Sequence, residues 1–230
     1  MSGCSSGLRV SGWFVALGVG LAAGRVFGFT DIGAPIPGYD KCALAWGDYD
    51  NDGDLDLAAS GRANAYDTGC KVYRNDGGTF TGASTSNMVD LYNSDLAWGD
   101  YDNDGDLDLA VIGNFNDISA TVRVMVNTAG TFTPGSCPYR TNGRLAWEDY
   151  NNDGLLDLVV AGFLTGEYTI KIYKNYRSSG LSDSCIDLPG VGNCGVEWAD
   201  YDNDGDLDLA LGGTAAGGTY FNRIYRSLSP

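Results

Sequence analysis

The sequence predicts an all-β fold, a β-propeller of four blades with four antiparallel strands each. Three observations carry this. First, the stretch Trp46-Gly47-Asp48-Tyr49-Asp50-Asn51-Asp52-Gly53-Asp54-Leu55-Asp56-Leu57 recurs from Trp98, Trp147 and Trp198, at intervals of 52, 49 and 51 residues. A fixed period of this size marks a propeller or a solenoid. Second, the intervening residues form short β-branched, aromatic and apolar runs bounded by turn residues, with no ten-residue helical pattern. Such runs read as strands. Third, the last repeat stops after its third run, whereas Phe29-Thr30-Asp31 matches the fourth runs Thr79-Phe80-Thr81 and Thr131-Phe132-Thr133. Inserted beside the last third strand, it closes the final blade and removes an open edge. A piece of a larger ring, or half of one that dimerises, fits the same count.

In chain order, residues 1–28 read as a secretory signal peptide. Polar residues to Arg9 precede an apolar run from Val10 to Ala23 and the small residues Ala22-Ala23-Gly24. The run is short for a membrane span. An uncleaved anchor is the alternative. No other long apolar segment follows, so no transmembrane segment is expected after signal removal, and the chain is expected to be secreted or held at the cell surface. Residues 29–230 then form the propeller, with blades at about 40–82, 93–134, 143–186 and 195–230 plus the closing strand 29–33. In each blade, run one ends at the Trp and run two follows the acidic loop. Run three carries an Asn (Asn75, Asn127, Asn175, Asn222), and run four is short, at Leu181–Asp183 in the third blade.

The composition narrows the chemistry. Fourteen Lys+Arg against 30 Asp+Glu give a net charge of −16. This excludes nucleic acid and anionic membrane as partners, which need a basic surface. A hydrophobic content of 43% and an aromatic content of 12% exclude a disordered acidic chain. There is no histidine, so triad-type nucleophile systems and most zinc sites are absent. Cys4 falls in the signal, leaving Cys42, Cys70, Cys137, Cys185 and Cys194. In an oxidising compartment some should pair, and an odd number leaves one for an intermolecular bond and an oligomer.

The acidic loop is a metal-binding pattern. Counted from Asp48, oxygens stand at positions 1, 3, 5, 7 and 9 with glycine at 6, the spacing with which a calcium loop wraps a hard cation. The ligands are Asp48, Asp50, Asp52, Asp54 (through its carbonyl) and Asp56 in the first loop. They are Asp100, Asp102, Asp104, Asp106 and Asp108 in the second, and Asp200, Asp202, Asp204, Asp206 and Asp208 in the fourth. The third loop offers Asp149, Asn151, Asp153, Leu155 and Asp157. Leu155 acts through its carbonyl, but Asn151 removes a carboxylate, so this site is the weakest of up to four. Position 12 lacks the EF-hand Glu and the flanks are strands, so the Ca2+ is structural and not a switch. The four Trp read as core, and the Tyr after the first Asp (Tyr49, Tyr101, Tyr150, Tyr201) as packing the loop on its own blade.

The string Asp-Tyr-Asp-Asn-Asp-Gly-Asp-Leu-Asp-Leu, followed by a β run, an Asn and Gly-Thr-Phe-Thr, resembles the FG-GAP/VCBS repeats of the integrin α-subunit N-terminal β-propeller. That resemblance spans about residues 29–230. It implies calcium between strands one and two on the lower face and ligands on the upper face. The family usually forms seven blades, and this chain carries four repeats.

In a meander, the loops between strands two and three and the blade linkers share the face opposite the acidic loops. The five cysteines fall in or near this set: Cys185 with Cys194 would close one linker, and Cys42 with Cys70 flank an intervening strand. The loops Gly61–Gly69, Gly113–Ala120, Gly162–Tyr168 and Gly212–Tyr220 vary and carry Tyr66, Phe115, Phe163 and Tyr168. A rigid scaffold with variable loops predicts a secreted or cell-surface binding or adhesion module for an extracellular protein or glycan. A lectin or carbohydrate-active enzyme, lyase or hydrolase, is the alternative. An enzyme is not expected, because Glu148, Glu167 and Glu197 are isolated and no acid–base pair stands out.

Overall fold

Each repeat folds into its own antiparallel sheet, because its runs are short, turn-bounded and rich in Val, Ile, Tyr and Thr. The computed structural model describes residues 28–64, 67–83, 87–115, 119–135, 141–164 and 166–228. The signal-peptide segment to residue 27, Cys4, Tyr66 and Cys137 lie outside them. The first sheet takes β1 (Asp40–Gly47), β2 (Asp56–Asn64), β3 (Asp67–Asp76) and β4 (Thr79–Gly82). The second takes β5 (Tyr92–Gly99), β6 (Asp108–Asn114), β7 (Ala120–Thr128) and β8 (Thr131–Pro134). The third takes β9 (Asn142–Glu148), β10 (Asp157–Leu164), β11 (Glu167–Asn175) and β12 (Leu181–Asp183), and the fourth β13 (Gly192–Ala199), β14 (Asp208–Thr214) and β15 (Tyr220–Tyr225). All are meanders in sequence order, as expected of propeller blades.

The register repeats. Trp46 pairs with Leu57 and Leu57 with Tyr73. The rows Trp98–Leu109–Met125, Trp147–Leu158–Tyr173 and Trp198–Leu209–Tyr225 are the same row in the other sheets. One consequence is that Asn222 pairs with Gly212. The place held by Asn75, Asn127 and Asn175 belongs to Ser227 in the last sheet, whose N–H likewise bonds the ninth-position carboxylate.

Consecutive sheets pack face to face, which buries the middle strands on both sides. Ala58, Leu109, Ala110, Val159 and Val160 are fully buried. Three clusters fill the three junctions. The first joins Tyr49, Ala58 and Val72 of the first sheet to Leu96, Leu109, Met125 and Phe132 of the second. The others join the second sheet to the third and the third to the fourth. The tryptophans set the spacing. Trp98 Nε1 donates to the Ala45 carbonyl at 3.1 Å and Trp147 Nε1 to the Ala97 carbonyl at 3.2 Å. Gly47 makes room for this, since a Cβ there would meet the Trp98 ring at 2.8 Å, and Gly99 does the same beneath Trp147. In the third junction Glu148 replaces that glycine, and the buried Trp198 Nε1 has no partner.

Several expectations are corrected. Residues 28–33 carry no strand, and the fourth sheet has three strands. The Asp31 carboxylate instead accepts from the Gly33 N–H at 2.8 Å, and Gly33 is left-handed. This Asx turn, followed by Pro35 and Pro37, breaks an extended run. Ala34, Ile36 and Tyr39 cover part of the first sheet's outer face over Leu57, Ala59, Tyr73 and Phe80. Three of the loop tyrosines stack or pack their rings on the next blade's tryptophan rather than on their own blade alone. Tyr49 stacks on Trp98, Tyr101 packs on Trp147 and Tyr150 stacks on Trp198, each in the next sheet. The first hairpin opposite the acidic loops is tighter than its glycines implied, because β2 continues to Asn64 and β3 starts at Asp67.

Cys42, Cys70, Cys185 and Cys194 are all free thiols. Ser60 pairs with Ala43 on one side and Cys70 on the other. The strand β2 therefore separates Cys42 from Cys70 by two strand spacings, about 9.5 Å, beyond disulfide reach. Cys194 Sγ lies against the Ala161 carbonyl, and Cys185 is held by Asp183.

Asn127 is the best single probe of the junctions. It is fully buried, donates Nδ2 to the carbonyls of Tyr49 and Leu107, and accepts from the Gly130 N–H. Asn127→Ala leaves these groups unpaired, and urea unfolding should show a loss of about 1–3 kcal/mol. An unchanged midpoint would show that this bond between blades does not hold the array.

Candidate functional site

The acidic loops are built by backbone turns that the sequence prescribes. Position 4 is left-handed at Asn51, Asn103, Asn152 and Asn203, and position 6 at Gly53, Gly105, Gly154 and Gly205. Asn tolerates this conformation and Gly adopts it freely. Position 1 closes the turn: both oxygens of Asp48 accept, from the N–H groups of Asp52 and Gly53, each at 3.0 Å. Position 9 is buried. Asp56 accepts from Tyr49 N–H at 3.1 Å and Asn75 N–H at 2.7 Å, which ties the loop to the end of β3.

Three groups of carboxylates converge: Asp48, Asp50 and Asp56; Asp100, Asp102 and Asp108; Asp200, Asp202 and Asp208. These are positions 1, 3 and 9. Positions 5 and 7 do other work. The Asp52 carboxylate accepts from Asp54 N–H and meets Arg74. The Asp54 carboxylate accepts from Gly77 N–H, and that of Asp106 from Ala129 N–H, so position 7 caps the β3–β4 and β7–β8 turns. In each converging group one position-3 oxygen is buried and has no protein partner: Oδ1 of Asp50, Asp102 and Asp202. An orphaned carboxylate oxygen beside two further carboxylates fits a hard cation, and nothing else in the fold satisfies it.

The third loop differs. Asn151 Nδ2 donates to Asp157 and its Oδ1 accepts from Lys174 Nζ at 3.3 Å, while Lys174 also pairs with Asp153 at 3.1 Å. The loop is neutralised from within, and it forms no converging carboxylate group among the described residues. Arg74 and Arg226 stand at the same place as Lys174 and pair with positions 3 and 5 of their loops. In the second loop Val126 holds that place, so its carboxylates have no basic side chain from β7.

A model of the FG-GAP-like repeat matches the chain three times, over residues 48–111, 100–160 and 149–211. Together these matches cover most of the chain. The chain is an FG-GAP repeat protein. No curated protein matches it. Each FG-GAP match runs from one acidic loop into the next sheet, which is also how the loops are bonded. Asn51 Nδ2 donates to Gly105 O and Asp106 Oδ1, Asn103 to Gly154 O, and Asn152 to Gly205 O and Asp206 Oδ1. Sequence reading missed this role of position 4. Its signal was an Asn repeated four times at a place where only a turn was needed.

At the opposite end of the strands lies a cup of about 640 Å³. Strand direction fixes this placement. The cup is lined by the starts of β1, β5, β9 and β13, and each of these strands runs away from it into an acidic loop. Three of these starts carry a β-bulge, marked by register shifts at Asp40/Ala43, Tyr92/Asp95 and Gly192/Gly195. The bulged residues Lys41, Asn93 and Asn193 are left-handed and exposed. Phe163 and Tyr168 form a tilted ring pair at the rim, 5.0 Å apart.

Burial raises the carboxyls of Asp56, Asp108 and Asp157, the last two to about 6. A raised acid holds its proton in the folded state where the unfolded chain has lost it. Its stabilisation is present below about pH 4 and is lost as pH rises through about 6. The exposed ion pairs of Asp183 and Asp204 act the other way and are screened by solvent. In chelator, the melting temperature should therefore be higher at pH 4.5 than at pH 7.5, and calcium should restore it at pH 7.5. A chelated melt that rises with pH would contradict this. In a second test, Asn151→Asp should raise the calcium stoichiometry measured by titration calorimetry from three to four. An unchanged count would show that Asn151 is not what sets the third loop apart.

Proposed function

We propose that this chain is a calcium-stabilised binding module, secreted or displayed at the cell surface, that takes an extracellular protein or glycan on the face opposite its acidic loops. The observation that carries the reading is the axial cup. All four blades contribute to its lining, and repeated bulges aim its rim residues away from the regular strand pattern. Bulges of this kind recur beside functional sites because they redirect side chains. The volume lies within the range of ligand sites.

Calcium follows from the oxygen-only donor groups and from the irregular geometry that calcium tolerates and magnesium does not. Its role is structural, since the groups are backed by sheets that have no second arrangement to adopt. Binding rather than turnover is favoured by the cup's chemistry. Its lining has no carboxylate, and the chain has no histidine. Export fits an ion supplied at high concentration outside the cell. No helix among the described residues is long and apolar enough to cross a membrane.

The test is capture on a glycan array and from an extracellular protein library, using the full chain in calcium. Phe163→Ala with Asn193→Ala should abolish capture. Tyr176→Ala, at the acidic-loop end, should leave it unchanged. Capture lost only with the Tyr176 substitution would place the ligand on the other face and overturn the reading.

A further inference from the structure

The charge of the cup is at odds with the rest of the molecule. The chain carries 30 acidic residues and a net charge of −16, yet among the described residues none that lines the cup is Asp or Glu. Two are cations, Lys41 and Arg144. Neither forms an ion pair with a carboxylate among the described residues, whereas Arg74, Lys171, Lys174 and Arg226 all do. Arg144 is fixed instead by donating to the Ser94 carbonyl at 3.4 Å. Lys41 is placed at its bulge with a φ of 51°, a backbone conformation that a lysine enters at a cost. Asn93 and Asn193, at the same position of their blades, make no side-chain hydrogen bond among the described residues and are exposed.

The donors are therefore of two kinds, and an apolar surface stands beside them. Neither cation has a carboxylate within ion-pair distance among the described residues, although Arg144 acts on the neighbouring Asp95 carboxyl and Lys41 Nζ lies 5.9 Å from the Tyr92 ring centroid. Both still suit a carboxylate or another fixed anion brought into the cup. Two free amides, each both donor and acceptor, suit hydroxyl groups. The tilted Phe163–Tyr168 pair offers aromatic surface at the rim, and a single ring face is of the kind that packs against a sugar ring. We infer that the axial cup binds an acidic saccharide of the uronate type, with its carboxylate between Lys41 and Arg144, its hydroxyls on Asn93 and Asn193, and a ring face on Phe163 and Tyr168. This rests on the binding-module reading and names the ligand class of that site. A single inorganic anion would use the cations but leave the amides and rings idle. A neutral sugar would use the amides and rings but make no use of the two positive charges.

The experiment is titration calorimetry of the full chain in calcium with three probes: trigalacturonate, neutral trigalactose and inorganic sulfate. Trigalacturonate should bind at least tenfold more tightly than either of the others. Lys41→Gln and Arg144→Gln should each weaken it about five- to tenfold, and added salt should weaken it further. Both side chains are at the surface of the cup, and an unchanged circular dichroism melt will show that the variants fold. Equal binding of the neutral and acidic sugars, or sulfate binding as tightly as the uronate, overturns the inference. So does binding untouched by both substitutions. A neutral glycan or a protein captured at the cup refutes the acidic ligand and leaves the module standing, whereas no capture by the cup at all refutes both.

Discussion

Each blade depends on one buried carboxylate at the ninth position of its loop. Asp56, Asp108, Asp157 and Asp208 are at most 2% exposed. Each accepts from the N–H that ends the third strand, at Asn75, Asn127, Asn175 and Ser227. In the first, second and fourth blades it also accepts from the N–H of the loop tyrosine. This bond pair fixes how the loop between strands one and two sits against strand three. It also carries a cost, because a carboxylate taken from water and placed near two more is electrostatically unfavourable. Burial pushes the carboxyls of Asp56, Asp108 and Asp157 up, the direction that this cost dictates. A cation at positions 1, 3 and 9 removes it, so metal binding and folding act through the same atoms.

The four repeats show three ways of meeting this demand. The first and fourth blades place an arginine over positions 3 and 5, and the orphaned position-3 oxygen still remains. The third exchanges a carboxylate for an amide and adds Lys174, and no oxygen is left over. The second has only valine at the basic position and is the most dependent on an external ion. Divergence among otherwise similar loops thus follows one rule: charge is balanced either by the chain or by a bound cation.

Much of this was legible in the sequence because the period is long, exact in its glycines and rich in chemistry. The fifteen strands within the repeats, their meander order and the special third loop all follow from residues whose types are dictated locally: Gly at position 6, Asp at 1 and 9, Asn at 151. What escaped is relational. Nothing local tells that Tyr49 leans on Trp98 and not on its own sheet, since an aromatic ring packs equally well on either. Nor does composition tell that the carboxylates of positions 5 and 7 turn away to an arginine and to a hairpin. The strand expected at 29–33 failed for a local reason that outweighed the pattern match: an Asp two residues before a glycine forms a turn, and prolines follow. The cup was invisible because a β-bulge is a matter of pairing register, and a single strand's sequence carries no register.

The asparagines at position 4 add a property that neither the loops nor the sheets have alone. Asn51, Asn103 and Asn152 reach forward to the next loop, while Asn127 and Asn175 reach back to the tyrosine carbonyl of the previous one. The four loops are thus wired as a line of nearest neighbours, in the manner of stacked repeats. The third member of that line is filled by the chain's own lysine. Ordering by an ion could pass between the first and second loops directly, but to reach the fourth it would have to cross a loop already neutralised by Asn151 and Lys174. Loaded with ions, such an array would act as a coupled pair and a separate single, and its two ends would loosen at different ion levels.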